Sequence, residues 1–447
     1  MAMTSISTLT DHGQSDLRRQ ALELAEVGLA AADGGRAVHE TVRLRDGGIE
    51  IAGSFHPLPP GRKLFVLGGG KATLPVAQAL EEVLGERIDA GVIVLRQGES
   101  AATRRLEVLH ADHPLPSGAS VRAANRVVEL AAQAEAGDLV VTCFTGGRSA
   151  LLSMPPPQVS FEDKLRLNQL LVGSGMPIAE INTVRKHVSL IKGGRLAEQI
   201  APARIVNLTV SDVAGDTLDV LADLTTQDTS TPADAVEVLR RHGLFDQIPE
   251  SVRSHLASEA ANSPALDDLA VETVMLVDGQ RVCKAIAAHA RVSGLEPEIV
   301  STTLEGEAGE IGRYLARLAT TDKSARVLLG CGGEATVRVA DTAFGRGGPN
   351  QEAAIAAALV LDGHQAAIAF LDTDGSDGGT DAAGAICDGE TAERARELDL
   401  DLGTALTSHS ATEPLRALDD LIVTGPTGTN VNDLFVAVTR PPEKEAT

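Results

Sequence analysis

Residues Phe370 to Ala385, FLDTDGSDGGTDAAGA, set four aspartates among four glycines directly behind an apolar run. Carboxylates at that density either hold a hard cation or cap a turn. Counted from Asp372, an EF-hand loop needs oxygen ligands at positions 1, 3 and 5, Gly at 6 and Glu at 12. Asp372, Asp374 and Ser376 satisfy the first three requirements, but Asp377 and Ala383 occupy the other two, which excludes the calcium loop. A surface turn after a strand remains open, as do carboxylates offered to a metal in another setting.

A second set of loops could bind anions. LGGGKATLPVA (67–77) places Gly69, Gly70 and Lys71 between a strand and a helix. It is not a Walker A loop, because Phe65 stands where Gly is needed and Ala72 where Ser or Thr is needed. It is not a dinucleotide fingerprint either, since Thr73 occupies the third glycine position. Backbone N–H groups, a helix start and one cation still suit an anion. Lys71 is then its anchor, or else a lysine on a tight turn. TCFTGGRSALLS (142–153) repeats the pattern with Gly146, Gly147, Arg148 and Ser149. The G-x-S-x-G elbow is absent, so an anion loop contacted or capped by Ser149 is preferred over a nucleophilic serine.

INTVRKHVSLIKGGRL (181–196) carries five basic groups between Arg185 and Arg195, among them Lys186, His187 and Lys192. In an acidic chain this is either a solvated helix face or part of an anion site, and His187 alone reads as a structural histidine. VSDVAGD (210–216) sets Asp212 and Asp216 about a strand-end turn. Phosphoryl transfer uses carboxylates there to hold magnesium or to accept a hydroxyl proton, while a turn cap explains one of them equally well. GRGGPNQEAA (345–354) and TGPTGTNVNDL (424–434) add Arg346, Asn350, Thr427 and Asn430 on further Gly-rich loops. Loops of this kind at strand ends in both halves point to a cleft for a polyanion, with the aspartates as its metal-holding side.

Such loops need a scaffold that gathers strand ends. The chain has 447 residues, 43% hydrophobic and 23% charged, which predicts two globular domains. A net charge of -23 argues against nucleic acid or an anionic membrane as partner, though a small anionic substrate needs only a few well-placed cations. The four cysteines are widely separated, so buried reduced thiols are expected. The N-terminus lacks an apolar signal core and no run reaches membrane-span length, which predicts a cytoplasmic protein. Short apolar runs alternate with amphipathic stretches, the pattern of an α/β fold with largely parallel sheets. Strands are predicted at 63–70, 90–95, 137–147, 204–216, 325–334 and 366–375, and helices at 16–32, 73–85, 279–293, 306–319 and 351–361. The polar stretch 254–270 reads as a linker, giving domains 1–260 and 261–447. Ligands of such sheets bind at the carboxyl ends of strands.

In order and spacing, HPLPSGASVRAANRVVELA, EINTVRKHVSLIKGGRLA, SDVAGD, GRGGPNQE, DTDGSDGGTDAAGAICDG and TGPTGTNVNDL resemble the class II glycerate kinases. These are the DUF4147/MOFRL family of glycerate 2-kinases, some of them labelled hydroxypyruvate reductases. The resemblance runs from about residue 16 to 437. It implies a Rossmann-like N-terminal domain and a smaller MOFRL-type C-terminal α/β domain, with the active site in the cleft between them. The implied reaction is ATP- and Mg2+-dependent phosphorylation of the C2 hydroxyl of D-glycerate to 2-phosphoglycerate. Kinase action on another small sugar acid and hydroxypyruvate reduction are the alternatives; self-association is left open.

Carried over residue by residue, the resemblance matches Lys71, Arg185, Lys186, His187, Asp212, Asp216, Asp374, Asp377 and Asp381; Lys71 and Asp212 are the catalytic candidates, joined by Arg346 from this chain's own loop. Gly69, Gly70, Gly146, Gly147, Arg148, Ser149, Arg185, Lys186, His187, Asn350, Thr427 and Asn430 are candidates for binding substrate or phosphate, and Asp216, Asp374 and Asp377 for metal. Three departures stand out. Arg148 replaces a family glycine, 222–235 diverges, and Pro349 stands where the family has an active-site arginine. Arg346 or Arg148 is the expected replacement for that arginine.

Overall fold

The computed structural model describes residues 6–211, 224–267, 269–321, 326–337 and 345–440. Asp212 and Asp216 lie outside the described residues. Chain contacts separate two units. One comprises Gly34–Val210 and the described residues as far as Leu276; the other joins the residues up to Asp33 to those from Val277 onward.

The first unit is built on a six-stranded sheet in the order 106–111, 90–96, 64–69, 139–144, 204–210, 271–277. The pairings among the first five of these strands are parallel. Leu64–Gly69 and Leu139–Phe144 are buried at every position, as expected of central strands covered on both faces, and so read as unbroken apolar runs. One face packs Leu67, Val94 and Phe144 against Ala124, Val127 and Leu196 of covering helices. Helix Gly118–Ala131 starts at a reciprocal Ser117–Ser120 capping box, a device worth about 1 kcal/mol. Helices Phe161–Gly173, Ile178–His187, Pro232–Arg241 and Glu250–Leu256 form a satellite cluster with its own core of Leu167, Val184, Leu239 and Val252.

The second unit holds another six-stranded sheet, ordered 297–301, 326–333, 433–439, 366–372, 384–388, 421–422. Only its 297–301/326–333 pair is parallel; the remaining pairings are antiparallel. The expected largely parallel arrangement therefore describes the first sheet and not this one. The reason lies in the last strand, Asp433–Thr439, which returns from the C-terminal side to insert between two earlier strands.

The division also departs from a single boundary after residue 260. Strand Val271–Val277, beyond the expected linker, completes the edge of the first sheet. Helix Ser15–Ala31 belongs to the second unit. It buries Leu17, Leu22 and Leu24 and packs on strand 433–439 and helix Gly279–Val292. Gly28 allows the close approach, since a Cβ there would lie 2.8 Å from Leu434 and 2.9 Å from Ile286. Cys143, Cys283, Cys331 and Cys387 are all buried free thiols. Among the described residues no helix is long and apolar enough to cross a membrane.

Candidate active site

In the first sheet the chain leaves strand 64–69 for 90–96 and 106–111 on one side, then returns to 139–144 on the other. The turns after 64–69 and 139–144 thus stand side by side where the winding reverses, the place at which parallel sheets bind ligands. They are laced together. Thr145 N donates to Gly69 O at 3.1 Å, Lys71 N to Gly146 O at 2.8 Å, and Ala72 N to Thr145 Oγ1 at 3.1 Å. Gly70 has φ +140, and a Cβ on it would fall 2.3 Å from Thr145 Oγ1, so the crossing requires glycine. At Gly147 (φ +84) a Cβ would meet Lys71 Cγ and the His113 ring at 3.3 Å. The bare Gly147 backbone is therefore the surface along which the half-buried Lys71 side chain lies.

Two expectations change here. The helix after Gly147 is a single turn, Arg148–Leu151, too short to supply a macrodipole for an anion. Only the turn before helix Thr73–Leu84 has a full-length helix behind it. Arg148 does not stand free beside the loop: it is 5% exposed and its Nη1 donates to Thr145 O at 3.1 Å.

The basic segment divides into two roles. Lys186 Nζ is paired with Asp228 at 2.6 Å. Fully buried His187 sits between Ala261 O at 2.8 Å and Ser230 Oγ at 3.1 Å. Burial, outweighing the Ala261 carbonyl and the nearby Asp228, pulls its pKa below the usual histidine value and keeps it neutral. Arg195 donates to the carbonyls of Lys186, Lys192, Ala261 and Asn262 at 2.9 to 3.0 Å. These three residues hold the satellite helices and the 259–263 segment together, so the structure supports a structural role for Lys186 and His187 in place of the substrate contact expected of them. Arg185 and Lys192 instead line a small cavity beside Ser149, with Lys164 as a third cation. Nothing in the local pattern around Lys164 sets it apart from a surface lysine; only the packing of helix 161–173 turns it inward.

In the second unit the aspartate-rich loop follows strand Ala366–Asp372, and the 424–432 loop is laced onto it. Thr373 N donates to Asn432 O at 3.1 Å, Val431 N to Thr373 Oγ1 at 2.9 Å, and Thr427 N to Asp374 O at 3.3 Å. Asn430, 8% exposed, accepts from Asn432 N at 3.2 Å. Asp377 has turned inward. Its two oxygens accept from the backbone and side-chain N–H groups of Asn350 and Gln351 at 2.9 to 3.3 Å, closing the start of helix Pro349–Leu361. A carboxylate so enclosed does not fit a metal ligand, contrary to the expectation for Asp377. Asp374, half-buried at the strand end, keeps that candidacy. Among the described residues no group of three His, Cys, Asp or Glu is poised for a metal. Magnesium on a nucleotide needs only one or two carboxylates, so Asp374 still suits it.

Asn350 also donates to Asp433 Oδ1 at 2.6 Å and thus bridges the buried Asp377 and the half-buried Asp433, where a substrate contact was expected. Pro349 occupies the first helical turn, which its fixed φ suits. Arg346 is paired with Asp381 at 2.9 Å on a surface where both side chains are more than half exposed. The arrangement does not present it as a replacement for the family's arginine.

Burial pushes the Asp377 carboxyl up to about 6, against its N–H donors, and Asp433 up to about 7. Both folded values lie above the unfolded aspartate value, so the stability these groups contribute is complete below about pH 4 and is lost as pH rises through 6 to 7. The side-chain 13C resonances of the two carboxyls are expected to titrate between about pH 5.5 and 7.5. Midpoints near pH 4 for both would show that hydrogen bonding outweighs burial.

Two family models match the chain in sequence, one described as a domain of unknown function, DUF4147, over residues 20–257 and the other as the MOFRL family over 327–433. A glycerate 2-kinase of Pyrococcus horikoshii is 37% identical, the match spanning 95% of this chain and 97% of that one. An Agrobacterium vitis protein carrying a hydroxypyruvate reductase name is also 37% identical, over 89% and 92% of the two chains. The crystal structure of a glycerate kinase from Thermotoga maritima superposes with a TM-score of 0.81 at 36% identity, covering 95% of this chain and 99% of that one.

Proposed function

Because this chain belongs to the glycerate kinase family, a family of kinases with the DUF4147 and MOFRL regions in this order, we propose that it transfers the γ-phosphoryl group of ATP to the C2 hydroxyl of D-glycerate, giving 2-phosphoglycerate. The observation that carries this reading is the double turn at the reversal point of the first sheet, with Lys71 laid on Gly147. A cation beside bare glycine backbone suits a group whose transfer is catalysed mainly by position and charge.

Lys71 faces the transferring phosphoryl group and stabilises the charge that builds on its oxygens. The Gly69–Gly70 and Gly146–Gly147 turns offer backbone to the phosphates, with Ser149 beside them. Asp212 takes the proton of the acceptor hydroxyl. Asp216 and Asp374 are the residues that would hold Mg2+, which when bound neutralises charge on the β- and γ-phosphates. Thr427, on the loop that donates to Asp374 O, orients the acceptor or nucleotide. The protein works in the cytoplasm on small molecules. Hydride transfer is disfavoured because Thr73, where a dinucleotide fingerprint needs glycine, turns its hydroxyl inward to Cys143 O at 3.0 Å.

The reading is tested by ADP release from Mg-ATP with D-glycerate, L-glycerate, hydroxypyruvate, tartrate and four-carbon sugar acids, the product being located by NMR. D-glycerate with phosphate on C2 is expected. Turnover with a different acid alone would reassign the acceptor and trace the change to Pro349, Arg148 or 222–235. No ADP release with any acid, together with NADH oxidation on hydroxypyruvate, would remove the kinase reading.

A further inference from the structure

Behind Ser149 lies a cavity of about 10 Å³, lined by Ser149, Ser153, Lys164, Asn168, Arg185 and Lys192 with Leu152, Met154 and Ser189. That is room for a single oxygen. Its polar lining includes three cations and, among the described residues, no carboxylate, in a chain whose net charge is -23. Lys164 is 3% exposed and reaches the Val188 carbonyl. Ser153 Oγ and Asn168 Oδ1, on residues 3% and 7% exposed, have no hydrogen-bond partner, and neither has Arg185 Nε. Unsatisfied polar atoms this deep are costly, and a packed core does not leave them in a cluster without a guest. The cavity also connects to the double turn, for Lys192 Nζ donates to Ser149 Oγ at 2.9 Å, two residues from the Gly147 surface that carries Lys71.

We infer that this cavity is an oxyanion subsite that takes one carboxylate oxygen of the acceptor acid and so selects acids over neutral polyols. The inference rests on the proposed acceptor class. The cavity admits one oxygen of an oxyanion and leaves the rest of the group at its mouth. The double turn is already given to the transferred phosphate, so the remaining anion, the acceptor carboxylate, is the guest assigned here. Burial, reinforced by Arg185 and Arg195, brings the Lys164 ammonium down to about 7, and an anion in the cavity would restore its charge.

The test combines Lys164→Met, which keeps the side-chain volume, with Asn168→Asp, which sets an anion against the guest. Wild type and variants are titrated calorimetrically with D-glycerate, with its uncharged amide and with ATP, and ADP release is measured alongside. Loss of one charge-assisted contact should weaken D-glycerate binding at least about tenfold in both variants, with ATP binding within about twofold of wild type. Discrimination between D-glycerate and its amide should shrink in Lys164→Met. Weakened ATP binding with D-glycerate unaffected would give the cavity to a phosphate and overturn the inference. Unchanged binding of both ligands in two folded variants would leave it a water site and also overturn it. Since binding is read without turnover, a wild type that binds D-glycerate but releases no ADP fails the kinase reading and not this one. A wild type that binds no acid of the panel fails this one.

Discussion

Replacing Lys71 with alanine is expected to lower kcat/KM at least about a hundredfold, the scale of removing one preorganised charge contact from a phosphoryl-transfer site. The fold should be unaffected. The hydrogen bond from its backbone N to Gly146 O, 2.8 Å, survives the substitution, and the residue is only half-buried. The loss should fall on kcat more than on KM for ATP, because the charge that Lys71 meets grows in the transition state. Lys71→Arg should recover little. The aliphatic stem lies against Gly147, and a planar fork cannot occupy the place of a compact ammonium. A fall of less than threefold in Lys71→Ala, with the melting temperature unchanged, would remove Lys71 from the chemistry.

The second large effect concerns stability. Arg18 is fully buried in the second unit. Its Nη1 pairs with Asp388 at 3.1 Å and its Nη2 with Asp420 at 2.6 Å, while Nε donates to Leu9 O at 2.6 Å. Arg18→Met leaves Asp388 without its cation and Asp420 with Arg394 at 2.8 Å and His12 at 3.0 Å. Breaking one side of a buried ion pair costs about 3–5 kcal/mol. The docking of helix 15–31 should weaken most, since Arg18 is its polar anchor among apolar contacts. Tyr314, the one tyrosine of the chain, lies on helix Ala308–Thr321 of the same unit and reports its denaturant unfolding.

The pH dependence of that deficit has a definite sign. Burial alone would raise the Asp388 pKa, but the Arg18 charge and the Glu390 and Gln14 N–H donors outweigh it and hold it below the ordinary aspartate value. Its stabilisation is therefore present above about pH 4 and lost as pH falls through the depressed folded value. Without Arg18, burial prevails and Asp388 protonates more readily. The difference between wild type and Arg18→Met should be full at pH 7 and smaller near pH 4. A difference below about 1 kcal/mol at pH 7 would show that water or a neighbour replaces the guanidinium.

The architecture was legible in sequence wherever the signal is local. The apolar runs that lead into glycine turns, 64–69 and 139–144, are strands. Helix 15–31 lies within one residue of its periodicity, and helix 73–84 follows the Lys71 turn as expected. Hydrophobic period and turn chemistry are properties of consecutive residues, so neighbours in the chain suffice to read them. The family was legible for a related reason, since its motifs are short loops of consecutive residues whose types suit their turn geometry.

What the sequence could not contain is the partner of each charged group. Arg185, Lys186, His187 and Lys192 read as one basic patch, yet Asp228, some forty residues on, claims Lys186 and lies 3.7 Å from His187, while Arg185 and Lys192 turn with Lys164 onto a cavity. Asp374 and Asp377 read as equivalent ligands, yet the start of helix 349–361 encloses the second and leaves the first. Helix 15–31 carried its own amphipathic pattern but no sign that its apolar face belongs to a strand four hundred residues away. Burial and pairing across long sequence separations set desolvation, and desolvation sets which charges are available for chemistry. By itself the sequence determined the elements and the family; only the tertiary structure decided which of the charged side chains are paired within the fold and which line open space.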